Sequence, residues 1–290
     1  MLRSTQPALF FLHIPKCAGT SVGLSLEAFA SYPREEMTAD LGVDPATLPS
    51  WTTDLAYDHP ALGPIKLNHL PLAILADRFP AVWGTLRRSA SFVVLREPRD
   101  RFVSGVLQRL REFGGVGASA VSDARIRDEA ARACEWLAGR GPFCDATRIH
   151  LARQSDFCDH EGRMIHARLF PLERLGALYD WLRDEHGLAI ERPEPARVGR
   201  RPRGWLRPLH PIASAAGRHL MGRRLRQALY PLWLRSGAFV EASAGYGRIA
   251  LPDDVERFVR EHYARDRALH EEALRRAGAA PPPEARRAGP

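Results

Sequence analysis

The amino-acid sequence has 290 residues, of which 42 are Lys or Arg and 34 are Asp or Glu, so the formal net charge is +8. Hydrophobic residues make up 45% and charged residues 26%, a globular composition that excludes global disorder. No stretch approaches the roughly 18 apolar residues of a membrane-spanning helix, and the first apolar run is too short for a signal peptide, so we predict a soluble, cytoplasmic protein. Lys16 and Lys66 are the only lysines among the basic residues, which are otherwise arginine.

Strands and helices alternate in the first part of the chain. Residues 8–13 are an apolar run with β-prone phenylalanines and are predicted as a strand, followed by a turn over 15–19 and an amphipathic helix. Residues 31–63 show no clear period and are predicted as an irregular excursion. Residues 64–69 are predicted as a second short strand, with a helix over 71–79 behind it.

The middle of the chain repeats this alternation. Residues 91–95 (SFVVL) form the clearest buried strand, and Pro98 suits the first turn of the helix that follows. Ser122 is the predicted N-cap of another helix. Residues 165–170 are predicted as a strand and residues 172–186 as a helix.

The C-terminal part differs in composition. Residues 189–250 are rich in proline, glycine and arginine, and we predict a divergent basic insert that is partly helical over 213–234. A long helix is predicted from Leu251, because acidic residues at its start and arginines at its end suit the helix dipole. We expect a single domain over residues 1–277 and a disordered tail over 278–290.

The four cysteines include no C-x-x-C pair, which argues against a zinc site and against a disulfide scaffold. Reduced thiols are favoured, and a Cys144–Cys158 bridge is the alternative. Alternating strands and helices indicate the α/β class, with a parallel sheet flanked by helices. Ligands bind such sheets at the carboxyl ends of the strands, so the chemistry is expected in the loops after Leu12 and Leu95.

The first of these loops, residues 13–21 (HIPKCAGTS), has the groups that would hold a phosphate. A helix N-terminus binds anions through free backbone N–H groups. Lys16 adds a point charge, and Gly19 permits close approach of the backbone. The hydroxyls of Thr20 and Ser21 add hydrogen-bond donors, although an ordinary capped turn is the alternative. The lysine precedes the glycine, so the segment departs from the ATP- and GTP-binding consensus G-x-x-x-x-G-K-[ST].

Two segments resemble motifs of sulfotransferases that use 3′-phosphoadenylyl sulfate (PAPS). Residues 10–22 (FFLHIPKCAGTSV) are similar to the 5′-phosphosulfate loop F-x-H-I-P-K-T-x-G-T-S, and residues 92–108 (FVVLREPRDRFVSGVLQ) to the 3′-phosphate motif V-L-R-D-P-x-x-R-x-x-S. The order of the motifs matches too. The nearest branch is the carbohydrate-type family that includes heparan sulfate 2-O-sulfotransferase and bacterial relatives. With weaker similarity over 166–187 and 255–274, the resemblance implies the P-loop-like sulfotransferase fold.

The resemblance implies roles for individual residues in sulfuryl transfer from PAPS to an acceptor hydroxyl. Lys16 matches the lysine that contacts the phosphosulfate and would stabilise the leaving group. Arg96 and Ser104 match the residues that bind the 3′-phosphate, for which a guanidinium offers a bidentate grip. The positions that match the 5′ side of the loop are Gly19, Thr20 and Ser21. PAPS is then a co-substrate, and no metal site is expected.

The family's proposed general base is a histidine in a short G-H-x-P segment, which residues 64–71 (PIKLNHLP) resemble. His69 is the candidate on that match, with Asn68 in place of the usual glycine. Its ordinary pKa near 6.5 suits proton abstraction at neutral pH. Glu97 is the second candidate. Lys66 would either reach the site through the end of its strand or lie in solvent, and both interpretations stay open.

Three further motif residues have expected roles. The family match makes His13 a residue that stabilises the loop. Cys17 stands where the family has threonine, so one hydrogen bond would be weakened and the thiol could be open to oxidation. Arg101 is expected to form a surface ion pair with Glu97, four residues earlier.

The expected acceptor is a hydroxyl of a carbohydrate or glycolipid, and its site would involve residues 31–63 and 189–250. The alternatives are a P-loop nucleotide kinase and a non-catalytic, arginine-rich nucleotide or nucleic-acid binder, although no nucleic-acid partner is expected. Residues 197–207 resemble a loop that closes over the 3′-phosphate in cytosolic sulfotransferases. They could instead hold an acidic acceptor or form a solvated basic linker, and the linker is favoured. Residues 220–234 could contact anionic lipid as a peripheral membrane segment, but a packed helix is favoured.

Overall fold

The computed structural model describes residues 1–48, 56–114, 121–188, 190, 200–202, 239–241 and 249–278. Its strands are β1 (Leu2–Thr5), β2 (Ala8–Phe11), β3 (Ala56–His59), β4 (Gly63–Lys66), β5 (Ala90–Leu95), β6 (Asp159–His160), β7 (Arg163–Met164), β8 (Arg168–Pro171), β9 (Arg200–Pro202) and β10 (Phe239–Glu241). Its α-helices are α1 (Gly19–Leu26), α2 (Arg34–Leu41), α3 (Leu72–Arg78), α4 (Pro80–Arg88), α5 (Pro98–Glu112), α6 (Asp123–Leu137), α7 (Gly176–His186), α8 (Asp253–His262) and α9 (Ala264–Gly278).

A four-stranded sheet in the order β1–β2–β5–β8 positions the candidate site. The strands β2, β5 and β8 run parallel, with Phe11 opposite Phe92 and Leu95 opposite Pro171. The edge strand β1 folds back on β2 in the antiparallel sense. The predicted α/β class is confirmed, but the sheet is mixed rather than wholly parallel, because the chain begins with a hairpin strand that the sequence pattern did not reveal.

Helices pack against the apolar sheet. Helix α4 contacts β2 and β5, and α9 contacts β5 and β8. Residues 91–95 of the central strand β5 are all buried, which explains why their sequence is almost continuously apolar. A second cluster of buried apolar side chains lies between α5, α6 and α8.

The strand predicted over residues 64–69 is confirmed in part, because β4 ends at Lys66, and it does not join the main sheet. Strand β4 instead pairs with β3 in a separate antiparallel hairpin. Gly63 has a left-handed φ of 66° at the turn, a conformation that favours glycine. The Nδ1 atom of His59 accepts hydrogen bonds from the backbone N–H groups of Ala61 and Leu62 (3.1 and 3.2 Å), which stabilises the turn locally.

The helices between β2 and β5 also differ from prediction. Residues 31–63 contain α2, which buries only two of its eight residues and therefore has too weak an apolar period to detect. The helix predicted over 71–79 is followed at once by α4. The break falls at Phe79, because Pro80 disfavours helical backbone in the residue before it.

The predicted C-terminal helix is interrupted. Helices α8 and α9 meet at Tyr263, whose φ of −103° and ψ of 25° depart from helical geometry. The hydroxyl of Tyr263 donates a hydrogen bond of 2.6 Å to the Leu151 carbonyl oxygen, so the break brings this buried side chain to a polar partner. The predicted cap at Ser122 and the predicted helix start at Pro98 are confirmed.

Several predictions lie largely outside the described residues. These are the basic insert over 189–250, its segments 197–207, 213–234 and 220–234, and the tail, of which only Gly278 is described. Within the insert, β9 pairs with β10 in an antiparallel sheet. In the part of the chain that the structure describes, no helix combines the length and apolar character needed to cross a bilayer.

Candidate functional site

The two predicted phosphate-binding motifs meet at one edge of the sheet. Residues 12–18 follow β2 and Arg96 follows β5, and because these strands are parallel neighbours their carboxyl ends lie side by side. The Nη1 atom of Arg96 donates to the backbone carbonyl oxygen of Lys16 at 3.4 Å. The two loops in which the chemistry was expected therefore lie next to each other.

The loop after β2 has an unusual backbone. Lys16 and Ala18 have left-handed φ angles of 67° and 57°, which non-glycine residues rarely adopt and which cost on the order of 1–3 kcal/mol each. The loop then starts α1 at Gly19, and the described residues contribute no side-chain cap to this helix. Its first backbone N–H groups therefore have no capping side chain, as at helix starts that bind anions. Strain concentrated in this turn fits a ligand-binding role.

The packing of a neighbouring side chain requires glycine at position 19. A Cβ atom at this position would lie 1.6 Å from Nε2 of His13, so the imidazole occupies the space that a larger residue would need. The His13 ring also stacks on Phe11, with a centroid distance of 5.9 Å. The expectation that His13 stabilises the loop agrees with this packing. The expectation that Gly19 lets the backbone approach an anion stays a prediction beside this steric explanation.

The predicted hydroxyl residues lie around the same loop. Thr20 is exposed and Ser21 is half-buried in the first turn of α1. Ser104 is buried on α5, three residues after Arg101 and four before Gln108, so these three residues share one helix face. Since both neighbours contact the loop, Ser104 faces it as well, beside the helix rather than at its tip.

Both lysines of the chain converge on α5. The Nζ atom of Lys16 donates to Oε1 of Gln108 (3.0 Å), and Nε2 of Gln108 donates to Oε1 of Glu112 (2.6 Å), one helical turn further on. The Nζ atom of Lys66 donates to the other oxygen of the same carboxylate at 3.4 Å. Lys66 is buried, with 5% exposure, so of the two interpretations left open the one that places it in solvent is excluded. The Glu112 carboxylate balances this buried ammonium group.

His69 lies against the loop and is buried. Its Nδ1 atom is 3.0 Å from the carbonyl oxygen of His13. A carbonyl only accepts hydrogen bonds, so the neutral ring carries its hydrogen on Nδ1 and leaves Nε2 as the proton acceptor. Burial lowers the pKa of His69 to about 3, and Lys66 and Lys16 act in the same direction. The ring is therefore neutral at physiological pH. The expected ordinary pKa near 6.5 is corrected downward, so Nε2 is a weaker proton acceptor than an unperturbed imidazole.

A second buried histidine, which the sequence analysis did not single out, stands beside His69. The ring centroids of His69 and His150 are 6.3 Å apart. Burial and the charge of Lys66 lower the pKa of His150 to about 2, so this ring is also neutral. Its Nδ1 atom has no hydrogen-bond partner among the described residues and lies 3.9 Å from a Glu112 carboxylate oxygen.

Arg96 keeps its guanidinium near solvent at the end of β5. Its side chain is 15% exposed, and Nη2 lies 4.0 Å from the Asp100 carboxylate, one turn into α5. Glu97 does not face the site as a base. Its carboxylate caps α5 by accepting the backbone N–H of Asp100 at 2.7 Å, which explains its identity without a catalytic role.

Arg101 is not a surface residue, and the expected ion pair with Glu97 was wrong. Its side chain has 0% exposure and lies beneath the loop. Its guanidinium donates to the carbonyl oxygens of Pro15 and His150 (3.4 Å each) and of Ala152, and it lies 5.6 Å from the Tyr263 ring centroid. The five N–H groups of a guanidinium suit such a junction of several carbonyls.

Cys17 is buried and reduced, as are the other three cysteines, so the Cys144–Cys158 bridge is absent. The Sγ atom of Cys17 donates to Oε1 of Gln154 (3.3 Å) and to the Pro15 carbonyl oxygen (3.6 Å). Burial raises the pKa of this thiol to about 12, more strongly than Arg101 lowers it. An oxidation-prone thiolate was thus expected wrongly.

Sequence reasoning missed Gln154 and Asp266, which lie far from the motifs along the chain. Gln154 has 0% exposure and bonds to both loops, and Asp266 has 0% exposure and bonds to the turn that contains Gln154. The one available signal was the weaker similarity over residues 255–274, a stretch that contains Asp266.

No family model, curated protein or solved structure matches this chain. The likeness of residues 10–22 and 92–108 to sulfotransferase motifs therefore remains a prediction. Function is inferred from the arrangement of Lys16, Arg96 and His69 and from the chemistry that this arrangement allows.

Proposed function

We propose that this protein transfers a sulfuryl group from PAPS to a hydroxyl of a carbohydrate or glycolipid acceptor. The observation that supports the proposal best is the meeting of Lys16 and Arg96 at the ends of neighbouring parallel strands, with the neutral base His69 against the same loop. Two cations and a base are what an in-line transfer of an anionic group to a hydroxyl requires.

The described residues fit the anionic groups of PAPS. Lys16 and the uncapped start of α1 would hold the 5′-phosphosulfate, and Arg96 with Ser104 would hold the 3′-phosphate. A bound 3′-phosphate would lie beside the Asp100 carboxylate, which is 4.0 Å from the Arg96 guanidinium, and would receive the charge-assisted hydrogen bonds of that guanidinium. When bound, PAPS supplies a sulfur atom whose bond to the phosphate oxygen breaks as its bond to the acceptor oxygen forms.

Each residue then has one task. The Lys16 ammonium stabilises the negative charge that develops on the departing phosphate oxygen. The Nε2 atom of His69 accepts the proton of the acceptor hydroxyl, because Nδ1 is held by the His13 carbonyl. Lys66 and Glu112 place a paired ammonium and carboxylate group near this base.

A transfer assay with radiolabelled PAPS tests the proposal. It screens glycan and lipid-linked acceptors and identifies the product by mass spectrometry. We expect transfer by the wild-type protein, and a loss of at least about 100-fold in kcat/KM for Lys16→Ala and for Arg96→Ala. Arg125→Ala, at an exposed position on α6, is the matched control and should keep wild-type activity.

The variant His69→Ala separates the base from the binding site. It should abolish transfer and leave PAPS binding intact, since its imidazole acts on the acceptor side. Full turnover in His69→Ala would remove His69 as the base. Phosphoryl transfer from ATP would favour the kinase alternative, and salt-sensitive binding to DNA or RNA that ignores Lys16→Ala would favour the nucleic-acid binder.

A further inference from the structure

We infer that Gln154 is a positioning residue that fixes the two phosphate-binding loops relative to each other, and that Asp266 holds Gln154 in place. The functional part of this inference rests on the proposed sulfotransferase activity. The structural part, that one buried amide determines the geometry of both loops, can be tested without any substrate.

Gln154 joins the ends of two strands through one side chain. The backbone N–H of Arg96 donates to Oε1 of Gln154 at 2.9 Å, and Nε2 of Gln154 donates to the Arg96 carbonyl oxygen at 2.8 Å. The same Oε1 atom accepts the thiol of Cys17 at 3.3 Å. A primary amide has both a donor and an acceptor, so it continues the hydrogen-bond pattern of a neighbouring strand where β5 ends.

Asp266 on α9 holds the backbone from which Gln154 projects. Its Oδ2 atom accepts the N–H of Gln154 (2.7 Å) and its Oδ1 atom accepts the N–H of Ser155 (2.8 Å). Asp266 has 0% exposure, and burial raises the pKa of its carboxyl group above the ordinary value, against the charge of Arg101. A carboxylate that accepts a backbone N–H at each oxygen restrains that backbone segment, because both oxygens form charge-assisted hydrogen bonds.

Because Gln154 is buried, its hydrogen bonds to Arg96 are costly to lose. Gln154 has 0% exposure, so deleting the amide leaves the N–H and carbonyl of Arg96 without these partners in a site closed to water. Arg96 carries the guanidinium proposed to bind the 3′-phosphate, and Cys17 is next to Lys16. Loss of Gln154 should therefore disturb both loops at once, whereas a change in a side chain of the same turn that does not contact the loops should not.

Hydrogen exchange measured by mass spectrometry tests the structural part. In Gln154→Ala we expect at least about tenfold faster exchange in peptides covering 13–21 and 96–100, with α7 unchanged. Asp156→Asn is the matched control. Asp156 is 8% exposed and lies two residues away, and its side chain pairs with Arg153 rather than with the loops. Unchanged exchange in both loops of Gln154→Ala, or equal acceleration in Asp156→Asn, would overturn the inference.

Binding of 3′,5′-ADP tests the functional part. We expect Gln154→Ala to lose about tenfold or more in affinity, as the loss of two buried hydrogen bonds implies, and Asp156→Asn to stay within about twofold of wild type. If the wild-type protein does not bind 3′,5′-ADP, the proposed function is contradicted. The hydrogen-exchange result then still decides whether Gln154 positions the loops. If the wild-type protein binds 3′,5′-ADP and Gln154→Ala binds it with the same affinity, the inference itself is overturned.

The variant Gln154→Glu provides a second test of the inference if Gln154→Ala does not fold. A protonated carboxyl group reproduces the donor and acceptor of the amide, whereas an ionised one faces the Arg96 carbonyl without a hydrogen to donate. The other charged or titratable groups around this position are Cys17, Arg96 and Asp266, with Asp156 and Arg153 in the same turn. Relative to wild type at the same pH, this variant should bind 3′,5′-ADP within about threefold at pH 5 and at least tenfold more weakly at pH 8. Wild-type affinity of this variant at a pH where infrared spectroscopy shows its introduced carboxyl group to be ionised would overturn the inference.

Discussion

Replacing Gly19 by alanine tests how the loop is built. The added Cβ atom would lie 1.6 Å from Nε2 and 1.8 Å from Cδ2 of His13, far inside van der Waals contact. The ring cannot move freely, because its centroid is 4.5 Å from that of His69 and it stacks on Phe11. Overpacking of this kind costs about 1–3 kcal/mol of unfolding free energy.

The effect of Gly19→Ala on the unfolding free energy should change sign when the His13 ring is removed. Gly19 begins α1 and is absent from the glycines with left-handed φ, so alanine suits its backbone. In a His13→Ala background Gly19→Ala should then be neutral or stabilising by up to about 1 kcal/mol. The two substitutions should thus show a coupling energy of about 1–4 kcal/mol.

Urea unfolding of wild type, both single variants and the double variant measures this coupling directly. The expected result is that Gly19→Ala lowers the unfolding midpoint in the wild-type background and does not lower it in the His13→Ala background. Effects that add within about 0.5 kcal/mol would refute the steric explanation, and a phosphate-related role for Gly19 would then be the better reading.

Three further predictions concern pH and the buried polar groups. The unfolding free energy should fall from pH 7 to pH 5, because His69, His150 and His166 have pKa values lowered to about 3, about 2 and about 4 and take up protons in that range only when unfolded. The effect is up to about 2 kcal/mol per ring, and an equal or higher urea midpoint at pH 5 would contradict it. The kcat/KM profile should lack an acidic limb near pH 6.5, since His69 stays neutral there; a limb at that pH would show a base with an ordinary pKa. Tyr263→Phe should lower the unfolding free energy by about 1–2 kcal/mol by leaving the Leu151 carbonyl without its 2.6 Å hydrogen bond, whereas an unchanged midpoint would show that water replaces it.

The elements whose own residues determine them could be predicted from the sequence. The apolar run of β5 and the proline that starts α5 were sufficient for that strand–helix unit. The motifs singled out the loops after Leu12 and Leu95, and the structure brings Lys16 and Arg96 of these loops together, since neighbouring parallel strands end side by side.

The features that depend on distant contacts could not be predicted. Arg101 has the local spacing of a surface ion pair with Glu97, and only the tertiary structure reveals that the loop covers it. The break at Tyr263 and the support given by Asp266 depend on contacts with residues more than 100 positions earlier in the chain. Gln154 belongs to no motif, so nothing local distinguishes it from a surface glutamine.

Calorimetric titration with 3′,5′-ADP is the most direct test of the central claim, that Lys16 and Arg96 form a site for a nucleotide with phosphates at both ends. The account predicts binding of 3′,5′-ADP by the wild-type protein, much weaker binding of ADP, and a loss of about 1.5–3 kcal/mol in binding free energy for Arg96→Ala. Equal affinity for ADP and 3′,5′-ADP, or unchanged 3′,5′-ADP binding by Arg96→Ala, would contradict it.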